Sequence, residues 1–136
     1  MIFNHNEYLN YELPLNWCAE QDADSLILYN PNGKGAITIS FFNVLDTTKT
    51  LDEQLSILSK NFVDKNEIKL HSPLIIYDRD DKTILFGTGK TYDDWFIKLW
   101  VVAKYPKIVF ATYNSEHKSA EVKVCDSIID SFRFTF

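Results

Sequence analysis

Two apolar runs, Trp95 to Ala103 and Ile108 to Tyr113, constrain the fold more than anything else in this chain. Read as strands, the first places Trp95, Ile97, Leu99 and Val101 on one side. Phe96, Trp100 and Val102 lie on the other, and Lys98 is the one charge among them. A strand that meets water on one face alternates apolar with polar residues, so a strand apolar on both faces is covered on both. Tyr105-Pro106-Lys107 separates the runs; proline gives a ladder no amide and presets a turn. The pair therefore predicts the central hairpin of an antiparallel sheet.

The flanking segments supply the covers. Tyr11-Glu12-Leu13-Pro14-Leu15-Asn16-Trp17 reads as a short strand, a proline turn and a Trp entering the next strand. Ser25 to Tyr29 is a further apolar run, and Asn30-Pro31-Asn32-Gly33 is dense in turn formers. Ile37, Ile39 and Phe41 alternate with Thr38 and Ser40, the period of a strand with one wet face.

Thr50-Leu51-Asp52-Glu53 is a capping box opening a helix over 50–64, with acidic residues at the positive end of its dipole. Leu51, Leu55, Leu58 and Phe62 form its apolar stripe, and Ile57 lies off it. Leu74 to Tyr77, the charged turn Asp78-Arg79-Asp80-Asp81-Lys82 and Thr83 to Phe86 predict a hairpin. Gly87 and Gly89 predict a bulge or bend after it. Asn114-Ser115 is read as the cap of a second helix over 115–130, whose apolar side carries Val122, Val124, Cys125, Ile128 and Ile129, with Glu121 intruding. Phe132, Phe134 and Phe136 close the chain as a one-sided strand. Local hairpins dominate, which predicts α+β with a mostly antiparallel sheet in one domain, 1–136.

At 136 residues such a domain buries roughly two-thirds of its unfolded surface. Apolar residues at 46% and charged residues at 24% are ordinary for a globular chain. Ten Phe, seven Tyr and three Trp are not, and they exceed the obvious core positions. A net charge of −5 without any Lys/Arg cluster argues against nucleic acid and against anionic membrane as partners. The first residues lack a basic start followed by an apolar core, and no run reaches the roughly 18 apolar residues of a membrane span. The expectation is a cytoplasmic protein, with Cys18 and Cys125 reduced and buried.

Chemistry-bearing patterns are incomplete wherever they begin. Gly87-Thr88-Gly89-Lys90-Thr91 has Ile84 where a phosphate loop needs its first glycine, and a strand follows where a helix N-terminus is required. Asp78, Asp80 and Asp81 open a calcium-loop pattern, but Thr83 and Gly89 hold the positions of its turn glycine and distal glutamate. His5, His71 and His117 have no partners at zinc or triad spacing. Neither cysteine has a base nearby in sequence. No catalytic, cofactor-binding or metal residues are assigned.

The leader Tyr11-Glu12-Leu13-Pro14-Leu15-Asn16-Trp17 resembles the strand, proline, short turn and tryptophan that open members of the PsbP-like superfamily. The closing Ser127-Ile128-Ile129-Asp130-Ser131-Phe132 resembles their passage from a helix into a last strand. The order of elements between fits as well, so the likeness spans nearly the whole chain, closest to small bacterial members. That superfamily includes extrinsic proteins of photosystem II, Ran-binding Mog proteins, and DcrB-like proteins, some of them chaperones of secretion effectors. The resemblance implies an α/β/α sandwich around a twisted antiparallel sheet, generally without catalysis. It transfers no site residue.

The expected function is a non-enzymatic module that binds a protein partner, in a client-chaperone, effector or immunity-type role. Trp17, Tyr77, Tyr92, Trp100 and Tyr105 are the candidate contact rings, because aromatic anchors dominate interfaces. The alternative is a sheet-lined pocket for a small ligand, or a weak hydrolase using His71 or His117 with a carboxylate. A homodimer through a sheet edge or the Thr38/Ser40 face is the third reading.

Overall fold

A computed structural model describes residues 1–136. The first apolar run forms a strand from Phe96 to Lys104 and the second a strand from Lys107 to Ser115, paired antiparallel over all nine positions. In chain order these are β9 and β10. Before them come β1 (Ile2–His5), β2 (Leu9–Glu12), β3 (Cys18–Asp22), β4 (Ser25–Tyr29), β5 (Gly35–Asn43), α1 (Leu51–Lys65), β6 (Lys69–Leu70), β7 (Ile75–Arg79) and β8 (Lys82–Lys90). After them come α2 (Glu121–Asp130) and β11 (Arg133–Phe134). The main sheet runs β3-β4-β5-β10-β9-β8-β6, with β7 also paired to β8. A small sheet, β1-β2-β11, stands apart, and every pairing in both sheets is antiparallel.

The two faces of β9 are buried as the pattern requires. Ile97, Leu99, Val101 and Ala103 join Leu55 and Val63 of α1 in one core. Phe96, Trp100 and Val102 join Val122, Cys125, Ile128 and Ile129 of α2 in the other. The small sheet closes that second core with Leu9, Tyr11 and Phe134. The result is the α+β sandwich, two helices on opposite faces of one twisted sheet. Neither helix is long and apolar enough to cross a membrane.

The α1 capping box is present: Thr50 Oγ1 accepts the Glu53 amide at 3.2 Å and Glu53 reaches back to the Thr50 amide. The second helix starts later than the sequence implies. Asn114 and Ser115 complete the β10 ladder, opposite Ala36 and Gly35 on one side and Ile97 and Phe96 on the other. The helix therefore begins at Glu121, with Ala120 at its N-cap and no side-chain cap. The glycines of β8 make no bulge, since its register with β9 is continuous from Thr83 to Lys90. They mark close approach instead. A Cβ on Gly89 would stand 2.5 Å from the Lys69 carbonyl oxygen, and one on Gly87 would stand 2.5 Å from Leu74 Cδ2. Cys125 is fully buried, whereas Cys18 on the edge strand β3 is half-buried.

Candidate functional site

The two faces of the main sheet are covered unequally. Helix α1 lies over β8 and β9, and Phe62 reaches Phe110 of β10 at a ring distance of 4.9 Å. Beyond β10 the same face has no second helix. The register fixes what it presents: one row across the strands is Glu20, Ile27, Thr38 and Thr112, and the next is Asp22, Ser25, Ser40 and Phe110. Phe110 is buried under α1, whereas the side chains of the outer strands on this face are polar or only partly covered, because no element lies over them.

Along the flank of α1 this open half-sheet forms a ledge. Its lower end is a cavity of about 270 Å³ lined by Phe42, Leu45, Ile57, Leu58 and Ile108, among others. A second cavity of about 210 Å³ shares Phe42 and Leu58 and adds Thr38, Ser40, Phe62 and Phe110. A third of about 350 Å³ shares Thr38, Phe62 and Thr112 and ends at Tyr92 and Asp93. Leu45 is 91% exposed, and Phe42 and Ile57 are exposed too, so large apolar side chains cluster at one end. The far rim is acidic, with Glu20 and Asp22 exposed on β3. Strands are about 4.8 Å apart and packed helices about 8–10 Å. A helix laid parallel to α1 would thus rest two strands over, on β10, β5 and β4.

The other face carries a charged cleft of about 270 Å³ where α2 leaves β7, β8 and part of β9 uncovered. Ile84, Phe86, Trp100 and Ile129 give it an apolar floor. Lys98 pairs with Asp126 Oδ1 at 2.6 Å, and the Trp100 indole donates to the same oxygen at 3.2 Å. Arg79 pairs with Asp130 at 3.4 Å. Lys98 Nζ also lies 5.2 Å from the Phe86 and Trp100 ring centres, a cation–π placement.

The five candidate rings therefore divide among four places. Trp17 is 8% exposed and packs in the α2 core. Trp100 is 4% exposed and forms the cleft floor, with Tyr77 on the cleft wall. Tyr92, 78% exposed, ends the ledge, and Tyr105 is exposed in the β9–β10 turn at the opposite end of β9. Only Tyr77 and Trp100 are brought together. On the ledge Thr38 lines the same cavity as Tyr92, Ser40 lies in the middle cavity and Ile57 at the far end; Phe42, Leu45, Glu20 and Asp22 are ledge residues without a counterpart among the sequence expectations. The signal for Phe42 was present, since it continues the Thr38/Ser40 alternation.

His71 Nδ1 is 3.4 Å from Thr88 Oγ1 and His117 lies 3.8 Å from Glu116; both are exposed, and neither lines the ledge or the cleft. Burial pushes the Cys125 thiol up to about 12, with Glu121 and Asp126 adding to the shift. It holds its proton at neutral pH and is not a nucleophile there. No three His, Cys, Asp or Glu side chains are grouped to hold a metal ion.

No family model matches the chain, and no curated protein matches it in sequence. Among solved structures it is similar to the solution structure of cyanobacterial PsbP (CyanoP) from Synechocystis sp. PCC 6803. That match has a TM-score of 0.71 over 98% of this chain and 91% of that one, at 11% identity. A crystal structure from Bacteroides thetaiotaomicron VPI-5482 matches with a TM-score of 0.58 over 96% of this chain and 46% of that one, at 14% identity. The fold is PsbP-like, as the two sequence corners imply. At these identities the likeness concerns the fold and carries over no site residue.

Proposed function

We propose that this chain is a non-enzymatic binding module whose ledge receives an amphipathic helix of a partner protein. The observation that carries the reading is the helix-wide strip of sheet beside α1, with Phe42, Leu45 and Ile57 exposed at one end. Exposed apolar side chains gathered beside polar ones mark interaction sites more often than the same residues scattered singly. The strip has an α-helix for one wall and a sheet for a floor, so an incoming helix buries one apolar stripe against both.

Charge selects among occupants. Glu20 and Asp22 line the far rim and Asp93 one end, so the partner helix carries Lys or Arg on that flank. A second copy of this chain is a poor fit. The outer face of its α1 mixes exposed Asp52, Glu53 and Asp64 with Lys60 and Lys65, so it offers no basic flank to that rim. The role that follows is that of a holder, a chaperone for a client or effector segment or an immunity-type partner.

Titration of isotope-labelled protein with two designed helical peptides tests this. Both carry the same leucine stripe, one with lysine on its polar face and one with glutamate. The lysine peptide is expected to shift the amides of Thr38, Ser40 and Thr112 and to bind at least about tenfold more tightly. Equal binding of the two, or shifts confined to the α2 face, would overturn the proposal.

A further inference from the structure

The cleft under α2 holds an arrangement that the ledge does not use. Asp126 and Asp130 are four residues apart on α2, so one helical turn of about 6 Å separates them. Like charges at that spacing destabilise a helix taken alone. Here each faces one cation of the sheet, Lys98 and Arg79 respectively, and each uses only its Oδ1 to do so. Oδ2 of either carboxylate accepts no hydrogen bond from the protein, and Arg79 meets Asp130 through a single nitrogen. The four side chains sum to zero charge over an apolar, aromatic floor.

A lone cation is already provided for. Lys98, its side chain 12% exposed, fills the position over the Phe86 and Trp100 rings from within the protein. What remains unmatched is a pair of carboxylate oxygens about one turn apart and, beside them, spare guanidinium donors. Ligand sites of drug-sized molecules run to about 300–1,000 Å³. A cleft of about 270 Å³ suits something smaller.

The geometry points to a site for a free α-amino acid with an apolar or aromatic side chain. Its ammonium lies between Asp126 and Asp130, taking an oxygen from each. Its carboxylate takes the spare donors of Arg79, and its side chain lies against Tyr77 and Phe86. A neutral zwitterion leaves no charge of the cleft unanswered. The charges of the cleft are already paired within the protein, so an amine alone adds an unbalanced positive charge and leaves the spare Arg79 donors unused, and an acid alone adds a negative one and leaves the two free carboxylate oxygens unused. The site is on the opposite face from the ledge and does not depend on it.

The test is a calorimetric and NMR titration of the full chain with L-phenylalanine, phenethylamine and 3-phenylpropionate. L-Phenylalanine is expected to bind saturably and to shift the Trp100 indole N–H, with the amine and the acid each at least about tenfold weaker. Asp130→Asn and Arg79→Gln change half-exposed side chains, so the fold survives, and each should weaken L-phenylalanine at least about tenfold. Absence of saturable binding at millimolar concentration would overturn the assignment. So would phenethylamine binding as tightly as the amino acid, which would make the cleft a simple cation site.

Discussion

The Tyr113 hydroxyl donates a 2.8 Å hydrogen bond to Glu121 Oε1, the oxygen that also accepts the Lys34 and Gly35 amides at 3.0 Å each. One carboxylate in the first turn of α2 thereby ties the β4–β5 turn to β10 and to the start of the helix. Its negative charge also lies at the favourable end of the helix dipole, where no side chain caps the helix.

Glu121→Gln keeps an acceptor oxygen and loses the charge, so it should cost about 1 kcal/mol. Glu121→Ala leaves two amides and a hydroxyl without their acceptor and should cost about 3 kcal/mol. Urea denaturation of the two variants checks the order. Equal, negligible losses would mean that solvent satisfies those donors and that the clamp is not a structural bond.

Tyr113 and Cys125 make the fold sensitive to alkali. Burial first, and then the bond to Glu121, pushes the tyrosine up to about 12, and burial pushes the thiol to about 12. In the unfolded chain these groups lose their protons near about 10 and about 8.5. Between roughly pH 9 and 12 the unfolded state therefore binds fewer protons than the folded one, and stability falls as pH rises. Buried Lys82, whose pKa is lowered by desolvation, contributes with the opposite sign. Urea midpoints should drop from about pH 8 to about pH 10.5, and Cys125→Val should remove part of that drop. A flat profile would contradict the burial of both groups.

The same residues show how far the amino-acid pattern reaches. The two-faced run and its proline turn are local, so the hairpin and its double burial were legible. Glu121 looked like an intruder on an apolar helix face because its backbone donors lie 86 and 87 residues away in sequence. Ser115 read as a cap, yet its place was taken by ladders to Gly35 and Phe96, one of them 80 positions distant. Strand β1 went unseen because it is four residues long and pairs only with another four-residue strand. The wet face of Thr38 and Ser40 was legible from alternation. That it lies next to an exposed Phe42 and Leu45, under the flank of α1, follows from the helix covering only part of the sheet, which no local pattern encodes. Lys98 was visible as the lone charge of its strand, but not its partner Asp126.

Gly89 and Gly87 separate close approach to backbone from close approach to a side chain. A Cβ at Gly89 meets the Lys69 carbonyl oxygen at 2.5 Å and Ile68 Cγ2 at 3.1 Å, so β6 must move. At Gly87 it meets the end of Leu74, which can turn away. Gly89→Ala should therefore lose roughly 1–3 kcal/mol and Gly87→Ala less. Chemical denaturation of the pair decides it; the reverse order would mean that β6 yields more easily than Leu74.

Site-specific photo-crosslinking in the native host shows whether the ledge receives a partner helix. A photoreactive residue replaces Ser40 on the ledge or, as the control, the exposed Lys123 of α2 on the opposite face. The Ser40 position is expected to crosslink to one partner protein, within a helical segment whose apolar stripe is flanked by Lys or Arg, and the control is not. Crosslinks from Ser40 only to a second copy of the chain, or equal yields from both positions, would contradict this expectation.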